Sequence, residues 1–282
     1  MAAARPAERG DMDGVLDLRR AWDLQVHGEP RTTRDFLAAH YPADGHWVVA
    51  DGLGGRLDGY AAVDSGGGLD LWIRPGADIG AALGALVDAA ASHHGGPLEA
   101  VLPGWEADLC AAFERLGFTR VHEVLEMGSE LSGAALEPRW PEGIRLRPFA
   151  AERDAPEVHA TLAEAFAGSD ERVAPFDEWL PWVTGDPSYD PALVFVAVAD
   201  GAVAGVAQCW TEGFVKDLAV RPAFRGRGLG EALLHAVFAE FARRGVGEVR
   251  LKVDADNPTG AVRLYERVGM RELRRHAVYA RG

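Results

Sequence analysis

The chain of 282 residues repeats itself once, at an offset of about 150 residues, and a period of that size marks a duplicated domain rather than a solenoid unit. "RPAERGDMDGVLDLRRAW" from Arg5 is mirrored by "RPFAAERDAPEVHATLAEAF" from Arg147, each a strand end leading through acidic residues into an amphipathic helix. "VVADGLGGRLDGYAAV" from Val48 is mirrored by "VAVADGAVAGVAQCW" from Val196, and both read as hairpins with a Gly-rich turn. "DLWIRP" from Asp70 answers "DLAVRP" from Asp217, and "AAFERLGF" answers "VRLYERVGM", which sets Phe113 opposite Tyr265. The length suits two domains, each large enough for its own core. The Gly- and Pro-rich segment "LSGAALEPRWPEG" reads as the join. The expected division is 1–131, a linker at 132–143, and 144–282.

The two copies part company after the "RP" that ends the fourth strand of each, "DLWIRP" and "DLAVRP". In the second copy, "FVKDLAV" reads as a strand that Pro222 ends, and Leu229, Leu233, Leu234, Val237, Phe238 and Phe241 recur at helical spacing before Gly245. Between them lie Arg225, Gly226, Arg227, Gly228, Leu229 and Gly230, where three glycines let the backbone bend sharply and turn several N–H groups to one point. A turn of this kind opening a helix is an anion site. Two common phosphate loops do not fit: G-x-G-x-x-G fails because the glycines are spaced by two and Glu231 follows, and a P-loop fails because no Lys follows.

What fits is R-x-x-G-x-G after V-x-P, written with Arg225, Gly228 and Gly230. This resembles the acyl-CoA loop of the GNAT superfamily of N-acetyltransferases. The downstream "DADNPTGAVRLYERVGM" extends the resemblance. By itself Asn257 or Asp256 reads as a helix N-cap and Tyr265 as a core aromatic. The resemblance implies an α/β (α+β) chain of two tandem GNAT-like domains, each a mixed, mostly antiparallel twisted sheet flanked by helices. It also implies acetyl-CoA as cosubstrate, its pyrophosphate held by the N–H groups of Arg225, Gly226, Arg227, Gly228, Leu229, Gly230 and Glu231. Asn257 and Ala261 would line the pantetheine arm, a backbone N–H of Leu218, Ala219 or Val220 would meet the carbonyl oxygen, and the Tyr265 hydroxyl would return a proton to the departing thiolate. No metal is implied.

In the first copy "GADIGAALGALV" has lost the Arg and two glycines, Trp105 stands opposite Asn257, and Phe113 opposite Tyr265. The apolar pattern persists, so the first domain is expected to be degenerate, without coenzyme, while 144–282 carries the activity.

Charge and cysteine content bound the partners. The net charge of −14 argues against nucleic acid and against an anionic membrane surface. Residues 201–282 carry 14 basic and 9 acidic side chains, matching a polyphosphate ligand, whereas 151–200 carry 2 basic and 11 acidic. In that acidic stretch Asp170, Glu171, Asp177, Glu178, Asp186 and Asp190 alternate with Phe176, Trp179, Trp182 and Tyr189. Such groups suit a cationic amine, or else simply form a solvated helix face. Two cysteines and scattered histidines form neither a disulfide framework nor a metal set, and no signal-like or membrane-spanning run is present, so a cytoplasmic monomer or homodimer is expected.

Acyl transfer to an amine needs a base, because an ammonium has no lone pair to attack with. Asp217 is the candidate on the strand, with Glu212 and a water relay as rivals; Asp70 occupies the same place in the degenerate copy, which speaks for a structural role. Three functional readings stay open. One is an acetyl-CoA-dependent N-acetyltransferase acting on the primary amine of a small cationic metabolite or antibiotic. The second is acetylation of a cysteinyl amine, implied by the similarity of residues 190–282 to the mycothiol synthase branch of the superfamily. The third is a coenzyme-binding sensor or scaffold without turnover, against which an intact Tyr265 argues.

Overall fold

Each half of the sequence folds into the same run of ten elements. The first half forms β1 (Arg5–Pro6), α1 (Met12–His27), α2 (Arg34–His40), β2 (His46–Ala50), β3 (Leu57–Val63), β4 (Leu69–Ile73), α3 (Ile79–His94), β5 (Leu98–Pro103), α4 (Ala107–Arg115) and β6 (Thr119–Glu130). The second forms β7 (Ile144–Pro148), α5 (Ala151–Phe166), α6 (Phe176–Gly185), β8 (Tyr189–Ala199), β9 (Ala202–Trp210), β10 (Phe214–Val220), α7 (Leu229–Arg243), β11 (Glu248–Asp254), α8 (Ala261–Arg267) and β12 (Arg271–Arg281). The computed structural model describes residues 3–40, 45–50, 56–131, 137–167 and 173–282. The tip of the first hairpin, part of the expected linker (132–136) and the acidic pair Asp170 and Glu171 lie outside the described residues.

The duplication extends to individual side chains. Arg5 donates to Pro6 O at 3.1 Å and grips both carboxylate oxygens of Asp11 at 2.7 and 2.6 Å. Arg147 does the same with Pro148 O at 3.3 Å and Asp154 at 2.5 and 2.7 Å. Arg74, after β4, ties its strand end to α1 through Asp17 at 2.8 Å, and Arg221, after β10, ties its own to α5 through Thr161 Oγ1 at 3.0 Å. A turn ends α4 and α8 alike, with Phe118 N–H on Phe113 O (3.2 Å) and Met270 N–H on Tyr265 O (3.0 Å).

The compact units are not the contiguous halves expected from the sequence. One comprises residues 1–124 with 275–282, the other residues 125–274. In the first unit β1, β2, β3 and β4 pair in order and antiparallel. In the same unit β5 pairs antiparallel with the end of β12, from Pro103↔His276 to Leu98↔Arg281. In the second unit the order is β7, β8, β9, β10, β11, followed by the part of β6 from Leu125 onward. The last strand of each repeat thus completes the sheet of the other repeat. The units therefore differ from the boundaries 1–131 and 144–282, and both last strands share one burial pattern, exposed at the start and buried over four consecutive residues near the end.

In the second unit the sheet is covered on both faces. Leu193, Phe195 and Ala197 of β8 point to the layer holding Leu229, Leu233 and Val237 of α7 and Tyr265 of α8. Val194, Val196 and Val198 point the other way, to Val158 and Leu162 of α5 and Trp179 and Val183 of α6. A strand apolar on both faces is what such a three-layer stack requires. The first unit has one core, in which Phe113, Phe118, Ala277 and Tyr279 pack together with α1 and α3. Among the described residues no helix is long and apolar enough to cross a membrane.

Candidate active site

The site forms where β10 parts from its neighbour. β10 and β11 run parallel, yet their register covers only Phe214↔Arg250 and Val215↔Leu251. On its other side β10 stays paired to β9 up to Val220↔Gly205, with an irregularity between Val215 and Asp217. Lys216 is the extra residue of that bulge, and it resets which peptide groups face which neighbour. Arg221 N–H donates to Ala204 O at 3.0 Å, so by alternation the Ala219 amide also faces β9. The N–H groups of Leu218 and Val220 therefore point the other way, into the opening between β10 and β11. Of the three donors expected from the sequence, Ala219 is thereby spent within the sheet.

At the C-terminal end of this opening lies the Gly-rich turn. Residues Pro222–Phe224 make one 3-10 turn, after which Gly226 and Gly228 take φ of +72° and +83°. An L-residue with a side chain adopts such angles only at a cost, which is why the turn is written with glycine. The first intrahelical bond of α7 is Ala232 N–H to Gly228 O at 3.0 Å. The N–H groups of Leu229, Gly230 and Glu231 precede it and are the orphan donors of a helix start. Gly230 also keeps the helix close to α8, since a Cβ there would come within 2.9 Å of Leu264 Cδ2. Arg225 serves as a brace: its Nε donates to Val220 O at 3.1 Å and its Nη2 to Ala165 O at 2.9 Å. Arg227 lies over the Phe224 ring, 5.7 Å from its centroid.

Across the opening, Asn257 does not cap α8. Gly260 does, at φ +76°, while Asn257 Oδ1 accepts from Thr259 N–H (3.0 Å) and Oγ1 (2.6 Å), fixing the turn that leads into Ala261. Tyr265 is buried on α8 within the core that backs the opening.

Asp217 and Asp70 share a sequence position but not an environment. Asp70 is exposed on β4 and accepts the Trp72 indole N–H at 2.9 Å. Asp217 is 5% exposed and holds the Lys216 ammonium at 2.7 Å. Burial, with the Asp217 charge behind it, pushes the Cys209 thiol well up, so it stays protonated. Glu212 is exposed on the turn between β9 and β10. The remaining acids of the 151–200 stretch do not converge: Asp186 accepts from Ser188 N–H, Asp190 pairs with Arg244 at 2.6 Å, and Asp177 and Glu178 stand in the first turn of α6. Sequence reasoning did not single out Lys216 or Gln208, because the bulge that directs them is a matter of register with β9.

The counterpart turn in the first unit is built otherwise. There α3 opens on Asp78, whose carboxylate accepts from Ala81 N–H at 3.0 Å. A carboxylate thus already engages one of the three donors that α7 leaves open.

A splayed parallel pair beside a Gly-rich helix start presents two sets of backbone donors, one suited to a carbonyl oxygen and one to an anion. Residues 155–270 match the profile of the acetyltransferase (GNAT) family. The mycothiol acetyltransferase of Geodermatophilus obscurus is 33% identical, over 94% of this chain and 87% of its own length. That of Salinispora arenicola is 33% identical over 95% and 92%. Among solved structures, a GCN5-related N-acetyltransferase from Sphaerobacter thermophilus superposes with a TM-score of 0.81 at 26% identity, covering 99% of this chain and 95% of that one. A tandem GNAT protein from the clavulanic acid biosynthesis pathway shares the fold, with a TM-score of 0.72 at 18% identity and coverage of 100% and 98%. The chain belongs to the GNAT acetyltransferase family, and its architecture is the tandem one.

Proposed function

We propose that this N-acetyltransferase takes acetyl-CoA as donor and the primary amine of a small molecule as acceptor, at one site in the second unit. The observation that carries this reading is the opening after Val215, into which Leu218 and Val220 direct N–H groups while Leu229, Gly230 and Glu231 offer theirs at its end. These two donor sets suit a thioester carbonyl and a pyrophosphate respectively. When bound, acetyl-CoA supplies the activated acyl group. The Leu218 N–H stabilises charge developing on the carbonyl oxygen. The Tyr265 hydroxyl delivers a proton to the thiolate sulfur. Asp217 Oδ2 is engaged by Lys216, so Asp217 would act as base through Oδ1 or give way to a water relay. The first unit would bind no coenzyme of its own, since Asp78 caps its helix start. Two free cysteines suit a cytoplasmic setting.

A second reading of the acceptor has its own support. The mycothiol acetyltransferases match over most of this chain, which favours a cysteinyl amine. One assay separates the possibilities: release of free thiol from acetyl-CoA, measured with simple primary amines and with a glucosamine-linked cysteinyl amine. Thiol release that depends on an amine supports the enzyme, and preference for the cysteinyl amine supports the second acceptor. Acetyl-CoA binding without thiol release under any amine would leave a sensor or scaffold in its place.

A further inference from the structure

The corner of the second unit where β10 faces α6 already contains a cation. Lys216 Nζ lies 2.7 Å from Asp217 Oδ2 and 5.1 Å from the centroid of the Trp182 ring. The Trp210 ring stands 6.3 Å from that of Trp182. A buried carboxylate beside an aromatic face is the arrangement that would receive a substrate ammonium. Here the chain's own side chain has taken the place. The bulge puts it there, because Lys216 is the residue left unmatched when Val215 pairs with Cys209 and Asp217 with Gln208. Along β10 the pair immediately precedes Leu218, whose peptide N–H enters the opening.

What the corner still lacks is an acceptor. Gln208, directly opposite Asp217 on β9, is 1% exposed, and its Nε2 has no hydrogen-bond partner. A buried N–H without a partner is costly, and a group that meets it is favoured accordingly. The Lys216 ammonium, bonded once to a carboxylate, has further N–H bonds to give. Charge in the corner is balanced, and the buried Gln208 atom left without a partner, Nε2, is a donor. A second ammonium brought there would face Lys216 at close range, while a carboxylate or carbonyl oxygen would complete it.

We infer that Lys216 is a specificity-determining residue for the acetyl transfer: it turns away acceptors that carry a second cation and selects amines that carry a carboxylate or carbonyl oxygen. The inference rests on the acetyltransferase reading above. Specificity of this kind works by repulsion as much as by attraction. It is tested with two acceptors of equal chain length, γ-aminobutyrate and putrescine, on the wild type, Lys216→Met and Lys216→Arg. Both kcat/KM for acetylation and quenching of tryptophan fluorescence are followed. The wild type and Lys216→Arg should favour γ-aminobutyrate, and Lys216→Met should move the ratio towards putrescine by about tenfold or more. A merely structural lysine would lower both acceptors equally and would not be rescued by Arg. A ratio unmoved by Lys216→Met, a wild type that prefers putrescine, or no difference between the two compounds by either readout overturns the inference. Calorimetric binding of acetyl-CoA, measured alongside, should be the same in all three proteins. Its absence from the wild type would overturn the acetyltransferase reading, and the inference with it.

Discussion

Phe113 and Tyr265 occupy the same turn of the same helix in the two repeats, and only one of them carries a hydroxyl. Tyr265→Phe therefore keeps a ring that the fold already tolerates at the equivalent place. The expected outcome is unchanged acetyl-CoA affinity by calorimetry and a fall in kcat of about 10²- to 10⁴-fold, the usual contribution of a positioned acid. Full activity in single turnovers would leave Tyr265 as a core aromatic only. Asp154 tests stability instead of chemistry. Burial alone would raise its carboxyl, but the bonds from Arg147 and Arg153, with the Ala150 N–H, outweigh burial and hold it well below the usual carboxylate range. A depressed folded value stabilises above the unfolded value of about 4 and is lost as pH falls through the lower folded one. Asp154→Asn should thus cost about 3 kcal/mol at neutral pH by leaving Arg147 without its buried partner. In urea titrations the gap between wild type and variant should narrow progressively below about pH 4.

The strand–turn–helix element from Phe214 to Arg243 can be dissected at Gly228. Asn tolerates the left-handed region better than other residues with side chains, and Gly228 has open space around it. Gly228→Asn should therefore keep the turn, whereas Gly228→Asp adds a negative charge where the phosphates are proposed to sit. Calorimetry should show acetyl-CoA affinity falling by about tenfold or more from the Asn to the Asp variant, since anions at a helix start compete for the same donors. Equal affinities would move the anion site elsewhere. Much of this element is readable before folding: glycines at 226 and 228 announce positive φ, Pro222 ends the strand, and the leucines fix the helix face. The side of β10 to which Ala219 or Leu218 turns its amide is not readable, because the bulge at Lys216 exists only in register with β9. The last helix is capped by Gly260 and not by Asp256 or Asn257 for a related reason. Asn257 serves equally well in a turn with Thr259, and the sequence pattern does not separate the two uses.

For the molecule as a whole the repeat predicts two similar folds, and the asymmetry between them predicts one ligand. Calorimetry should find one acetyl-CoA per chain, because Asp78 supplies in the first unit the negative charge that a phosphate would bring; two sites would contradict that. The crossing of the last strands is not readable at all, since the partners of β6 and β12 lie far off in sequence. It makes a sharp prediction nonetheless. Tyr279 is 2% exposed and packs against Phe113, their centroids 6.0 Å apart, so Tyr279→Ala should destabilise the first unit by about 3–5 kcal/mol. Protease cuts should then appear within residues 1–124 before they appear in 125–274. Crossing also has a consequence for biosynthesis. A nascent chain commonly folds domain by domain from its amino end as it leaves the ribosome. Here the partner that β5 requires is translated after every residue of 125–274, so the half that is made first must wait, its sheet edge uncovered, and is the last to be finished.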